Sequence, residues 1–461
     1  MKLKKIAILV AIAAGSAPVF ATNGMNMEAY GPIAGGMGGA SMAYYTGAAG
    51  MMNNPATMAM CPNGCFTAAL GFLGPDVSTS HPMAGNTKSG GDAYVMPAIG
   101  YTGKMGKLTY GVGVFAQGGM GTEFTSTSGL AMGTGNDVRS ELGVGRFILP
   151  LAYQVTDEFA IGGSLDFVWA NLDIKMAAGG ADFNAMATSM SGSMPMAMGT
   201  LGGFGANTYR LDFSDNNKFT GEAMGSGWAG KLGFTFKLNP QMTIGGSYHS
   251  KTHLGDLKTA DDGATFSAYN VGGPGLLGAV RGKVTVHNFQ WPETYGIGVA
   301  YQANDRWMIV ADYKRINWAD VMKDFNMTYS AADVMGMGAG SAGLKISQNW
   351  ENQNVFMIGA AYKVTDALTV RFGGNFAKNP IPDDRVHPLF PAIIDKHYTA
   401  GVGYQFNKAS AVDFALMYAP EVSVTGTQMT SGAAGSGIGA NGMMNIKHSQ
   451  LNWQAQYRHA F

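Results

Sequence analysis

The sequence predicts an all-β protein, a 14-stranded antiparallel transmembrane β-barrel with an N-terminal plug in its lumen. Three observations predict it. The chain opens on an export signal, short segments alternate apolar and polar residues with period two, and charge is scarce for a chain of 461 residues.

Export is read from residues 1–21. Lys2, Lys4 and Lys5 form a positive start, 6–14 is a short apolar core, and Val19, Phe20 and Ala21 make a small-residue cleavage site. The apolar core is shorter than the ~20 residues of a spanning helix. No later stretch reaches the ~18 consecutive apolar residues that would suggest one. The expected location is the outer membrane of a Gram-negative cell.

Charged residues make up 13% of the chain, against the ~25% of an ordinary soluble domain. Glycine (68) and methionine (32) are abundant, and formal net charge is zero, which argues against nucleic acid as a partner. Few charges combined with weak hydropathy suit strands that face lipid on one side and a lumen on the other.

The alternation is plain at the carboxyl end. Leu451, Trp453, Ala455, Tyr457 and Phe461 share one parity, and Asn452, Gln454, Gln456 and Arg458 share the other. Tyr295, Ile297, Val299 and Tyr301 repeat the pattern, as do Trp307, Ile309, Ala311 and Tyr313. Short polar turns beside aromatic residues fall at 102–107, 156–158, 239–241, 303–306, 365–367 and 407–410. Six such turns join twelve strands; 66–73 before them and 451–461 after them bring the count to 14, with both ends on the periplasmic side. The long connections 176–217, 257–283, 320–344 and 420–446 then read as extracellular loops. The Met-rich part of the first, 176–203, reads either as a loosely specific apolar binding surface or as a poorly ordered loop.

Residues 22–60 do not read as lipid-facing strand, and 61–461 is the barrel proper. The first stretch is rich in glycine and alanine yet carries Met25, Met27, Tyr30, Ile33, Met51 and Met52 to bury. A plug packed closely against the barrel wall accounts for both properties. Cys61 and Cys65 follow, separated by Pro-Asn-Gly, a spacing that permits a small disulfide clip in an exported chain. A pair of free thiols is the alternative. Two cysteines without further ligands argue against a metal, and no cofactor is expected.

The plug also carries the first part of an ordered resemblance. Gly38-Gly39-Ala40 followed by Asn54-Pro55-Ala56 resembles the hatch of the FadL/TodX family of outer-membrane transporters. Tyr110 to Val114, then Gly119-Met120-Gly121-Thr122-Glu123-Phe124, is similar to the family's third strand. Gly225-Ser226-Gly227-Trp228, Trp291-Pro292-Glu293-Thr294, Trp318, Asn379-Pro380-Ile381-Pro382 and Asp395-Lys396-His397 follow in the family's order. The resemblance covers nearly the whole exported chain.

It implies a monomeric barrel that takes up long-chain fatty acids or aromatic hydrocarbons passively. Hydrophobic small molecules and outer-membrane lipid are then its partners. The resemblance places Asn54, Pro55 and Ala56 at a gate against a kinked third strand, where a gap in the wall releases substrate sideways. Gly118 and Gly119 fall at that kink, and glycine within a strand commonly marks a bulge.

Two departures stand out. An acidic pair of the family is replaced by Thr46 and Gly47. The basic residues expected near a carboxylate align with Met176 and Ile346, with Lys175 and Lys345 one residue away. A one-residue shift turns a side chain to the opposite face. Either the register slips twice, making Lys175 and Lys345 head-group contacts, or the site lacks its charge partner and favours a neutral hydrocarbon.

Rival readings are a general porin, which would want a charged constriction, and an outer-membrane enzyme. Among the eight histidines, His249, His253, His287 and His397 sit in no catalytic motif, so no enzyme activity is expected.

Overall fold

The computed structural model describes residues 23–81, 85–217, 220–426 and 444–461. The expected signal peptide, residues 1–21, lies outside them. Strand Gly64–Leu73 pairs with Asn445–Ala460 on one side and Tyr94–Met105 on the other, so the sheet closes on itself. Closure removes the free edges that lipid cannot hydrate.

The expected 14 strands need correction: the described residues form 24 strands in one sheet. Most of the additional strands lie in the long connections that read as loops in the sequence, and Pro75–His81 and Gly85–Lys88 lie between Gly64–Leu73 and Tyr94–Met105. Ala187–Gly192 pairs with Gly340–Ser347, which also pairs with Asp324–Ala331, and Thr208–Phe213 pairs with Ala264–Asn270. Strands beyond the bilayer need no lipid-facing parity, so period-two alternation does not reveal them. Their backbone groups must still pair, and hairpins satisfy them. The Met-rich connection is itself folded: Phe183 packs on Tyr209 (4.7 Å between ring centroids) and on Phe266 (5.4 Å) over a buried core that includes Met186 and Met194.

All six short turns join neighbouring strands. Beside them Tyr101, Tyr153, Phe236, Tyr301, Trp307 and Tyr404 are exposed in one aromatic belt. A second belt includes Phe167, Trp228, Tyr295, Phe356, Phe376 and Tyr398.

Residues 23–60 are almost wholly buried and touch strands around the whole circumference. Asp312 accepts from the Ser41 and Met42 amides (2.6 and 2.9 Å), Thr399 accepts from the Gly38 amide (2.9 Å), and Gln454 donates to the Ala29 carbonyl (3.1 Å). Gly38 has φ +69°, and a Cβ there would fall 2.4 Å from the Gly374 carbonyl oxygen. The close approach therefore requires glycine.

Candidate functional site

Strand Leu108–Phe124 pairs with Tyr94–Met105 only from Met105↔Leu108 to Ile99↔Val114. Beyond Val114 the two separate, and Pro97 on the exposed edge has no N–H to leave unpaired. On its other side, strand Leu108–Phe124 carries an irregularity against Val138–Gln154 between Ala116 and Gly118. Gln117 is the extra residue. Its side-chain oxygen accepts from Arg146, and its carbonyl accepts from the Tyr30 hydroxyl at 2.8 Å.

The strand that leaves the wall finds a new partner in the plug. Asn26 bridges Gly118, and the Gly119 amide donates to the Met25 carbonyl at 3.0 Å. Trp291 and Trp318 press this segment into place. A Cβ on Gly118 would lie 2.6 Å from the Trp291 ring, and one on Gly24 would lie 2.6 Å from Trp318 Nε1. The two rings meet edge to face at 5.5 Å, and Trp350 extends the stack to Trp318 at 5.2 Å.

Between the separated strands lies a small, partly open cavity of about 40 Å³. Met27, Tyr30, Leu70, Met96, Ile99 and Phe115 are among its apolar walls. Plug and wall contribute together, and Leu70 is 42% exposed. Burial raises the Tyr30 hydroxyl well above the ordinary phenol range, so it stays a neutral donor.

Gly118 and Gly119 thus stand at the strand break. Asn54, Pro55 and Ala56 do not. The Asn54 amide donates to the Met42 and Phe234 carbonyls (2.7 and 2.9 Å), and its oxygen caps Ala56 N at 3.1 Å. A Cβ on Gly162 would meet Ala56 N at 2.5 Å, which places this segment on strands Phe159–Gly179 and Ala223–Asn239. At the plug it is residues 23–27 that meet the kink.

Lys175 and Lys345 face away from the lumen. Lys175 pairs with Asp137 at 3.0 Å and donates to Asn216, and Lys345 is 44% exposed, with Asp324 at 3.9 Å. Met176 and Ile346 are the buried neighbours. Within the wall, Arg146 and Lys231 are fully buried and both pair with Asp166, the arginine at 2.7 Å. Cys61 and Cys65 are free and buried, and the Tyr45 hydroxyl donates to Cys65 Sγ at 2.9 Å. Hydrogen bonding by the Cys65 thiol lowers Cys61 below the ordinary thiol range. Among the described residues no group of three or more His, Cys, Asp and Glu side chains is placed to hold a metal.

The sequence singles out the glycines of the break and Trp291 and Trp318, but not the Asn26, Tyr30 and Gln117 contacts that hold it. Their signal is tertiary: polar residues at a bulge, answered by polar residues in a distant glycine-rich segment.

The fold has counterparts among solved structures. The crystal structure of the Pseudomonas putida toluene transporter TodX superposes with a TM-score of 0.80 at 30% identity, covering 94% of this chain and 99% of that one. The Ralstonia pickettii toluene transporter TbuX gives 0.74 at 29%, covering 95% and 99%. The long-chain fatty acid transport protein of Escherichia coli K12 is 22% identical over 386 residues, 80% of this chain and 81% of that protein. A stretch of 77 residues is 48% identical to an uncharacterized Chlorobium limicola protein, 16% of this chain and 36% of that one. The profile described as outer membrane protein transport protein (OMPP1/FadL/TodX) matches residues 9–461, and so the plugged barrel with its broken wall belongs to that family.

Proposed function

We propose that this outer-membrane transport protein takes up hydrophobic compounds passively and releases them sideways through the wall at the Gly118–Gly119 break. The observation that carries the reading is the apolar cavity between the separated strands, walled by the plug inside and by Leu70 and Ile99 toward lipid. A greasy solute leaving there goes directly into the bilayer and never meets bulk water. That route is favourable by about 25 cal/mol for each Å² of apolar surface kept dry.

Uncharged hydrocarbons fit better than fatty acids. Met176 and Ile346 occupy the inner face where the resemblance expects cations, and a carboxylate without a partner is costly to bury. The E. coli relative keeps long-chain fatty acids as the second reading.

The test is uptake of labelled toluene and oleate by a strain lacking the gene and by the same strain complemented. Complementation should restore toluene uptake. Equal uptake with and without the gene, for both compounds, would rule the reading out.

A further inference from the structure

Residues 378–395, between strands Leu368–Ala377 and Lys396–Gln405, turn inward instead of arching into solvent. Ile381, Leu389, Phe390, Ile393 and Ile394 are all buried. Four prolines, Pro380, Pro382, Pro388 and Pro391, restrict its backbone, so little entropy is lost in holding one shape. This segment contains the Asn-Pro-Ile-Pro motif that the uptake route leaves unexplained.

Its carbonyls are fastened to the wall by side chains. Thr122 Oγ1 donates to the Pro388 oxygen at 3.0 Å, Ser140 Oγ donates to the Leu389 oxygen, and His448 Nδ1 donates to the Pro391 oxygen at 2.7 Å. Thr122 and Ser140 are register partners just beyond the strand break. His448 stands on Asn445–Ala460, which reaches the other edge of the break through Gly64–Leu73 and Tyr94–Met105. The segment is therefore pinned on both flanks of the wall gap. Phe390 also packs on Phe325 at 5.9 Å, and Phe325 is the register partner of Ile346.

We propose that residues 381–394 form an inner gate that sets the size of solute reaching the wall opening. The inference rests on the uptake reading above. A solute wider than a single ring, coming from the outer lumen, must displace Phe390 and lift the strap, and the three side-chain bonds hold it shut. Each bond favours the closed position by about fivefold, so removing one should raise the open fraction by the same factor.

The experiment compares uptake of naphthalene and toluene by cells making wild type, T122V, S140A or H448L. F390A trims the obstructing ring without touching a pin and covers the case of a pin variant that does not assemble. Heat-modifiable migration in gels reports an assembled barrel. The naphthalene-to-toluene ratio should rise about fivefold in each pin variant. It should also rise in F390A, and T122S, which keeps the hydroxyl, should behave as wild type. An unchanged ratio in the assembled pin variants and in F390A would overturn the gate while leaving uptake intact. Absence of uptake by wild type would remove the uptake reading and the gate together.

Discussion

Gly118 is tied to its neighbours by the space a side chain would need. A Cβ there would stand 2.2 Å from the Met25 carbonyl oxygen, closer than any real contact. G118V should therefore assemble as a barrel, because strand pairing to Val138–Gln154 survives at a bulge, yet expel residues 23–27 from the kink. Hydrogen exchange of the Gly119 amide reads this directly: protection should be lost in the variant, and retained protection would disprove the clamp. Cys61 and Cys65 make a second prediction at this scale. We expect added hydrogen peroxide to oxidise the lowered Cys61 thiol to a sulfenic acid, with loss of water from the peroxide, and Cys65 to displace its hydroxyl as a second water, leaving an intramolecular disulfide detectable as loss of both alkylation sites. Two alkylated cysteines after oxidation would count against that pairing.

At the scale of the element, the hatch is held by polar contacts at a few points and by glycine packing elsewhere. Asn54 makes three of these hydrogen bonds while fully buried. Removing its amide in N54A leaves the Met42 and Phe234 carbonyls without that donor, at a cost of about 3 kcal/mol to hatch docking. The barrel wall should be unaffected, since its strands pair without Asn54. Sensitivity to a hydrophilic antibiotic should increase, and unchanged sensitivity would show that the hatch stays seated by packing alone. Much of this element is legible in the amino-acid sequence. The glycine runs around Gly38 and the bulge glycines Gly118 and Gly119 announce close approach, because no other residue fits there. What the sequence does not disclose is which wall each part meets. Asn54 faces Phe234 and Asn26 faces Gly118, contacts over 180 and 92 positions that no local periodicity encodes. The outer strands are hidden for a related reason, since Ala187–Gly192 pairs outside the bilayer and carries no lipid-facing alternation.

For the whole molecule, the arrangement of charge decides what kind of solute the path suits. Arg146 and Lys231 are spent on Asp166, Arg371 lies 3.0 Å from Asp413, and Lys175 and Lys345 point outward to Asp137 and Asp324. Between the outer lumen and the strand break, Met176, Ile346 and Phe115 are buried apolar residues, and the polar Thr122, Ser140 and His448 are uncharged hydrogen-bond partners of the 388–391 carbonyls. Lys345 is a half-exposed partner in a long ion pair, which contributes at most about 1 kcal/mol to stability. K345A should therefore leave the barrel, toluene uptake and the ratio of oleate to toluene uptake all unchanged. The compounds extracted from the purified protein and identified by mass spectrometry should be neutral. Should K345A or K175A selectively abolish oleate uptake, or should fatty acid be the extracted ligand, the outward placement of these lysines would not describe the working state, and a charged head group would have to be seated among the buried cations.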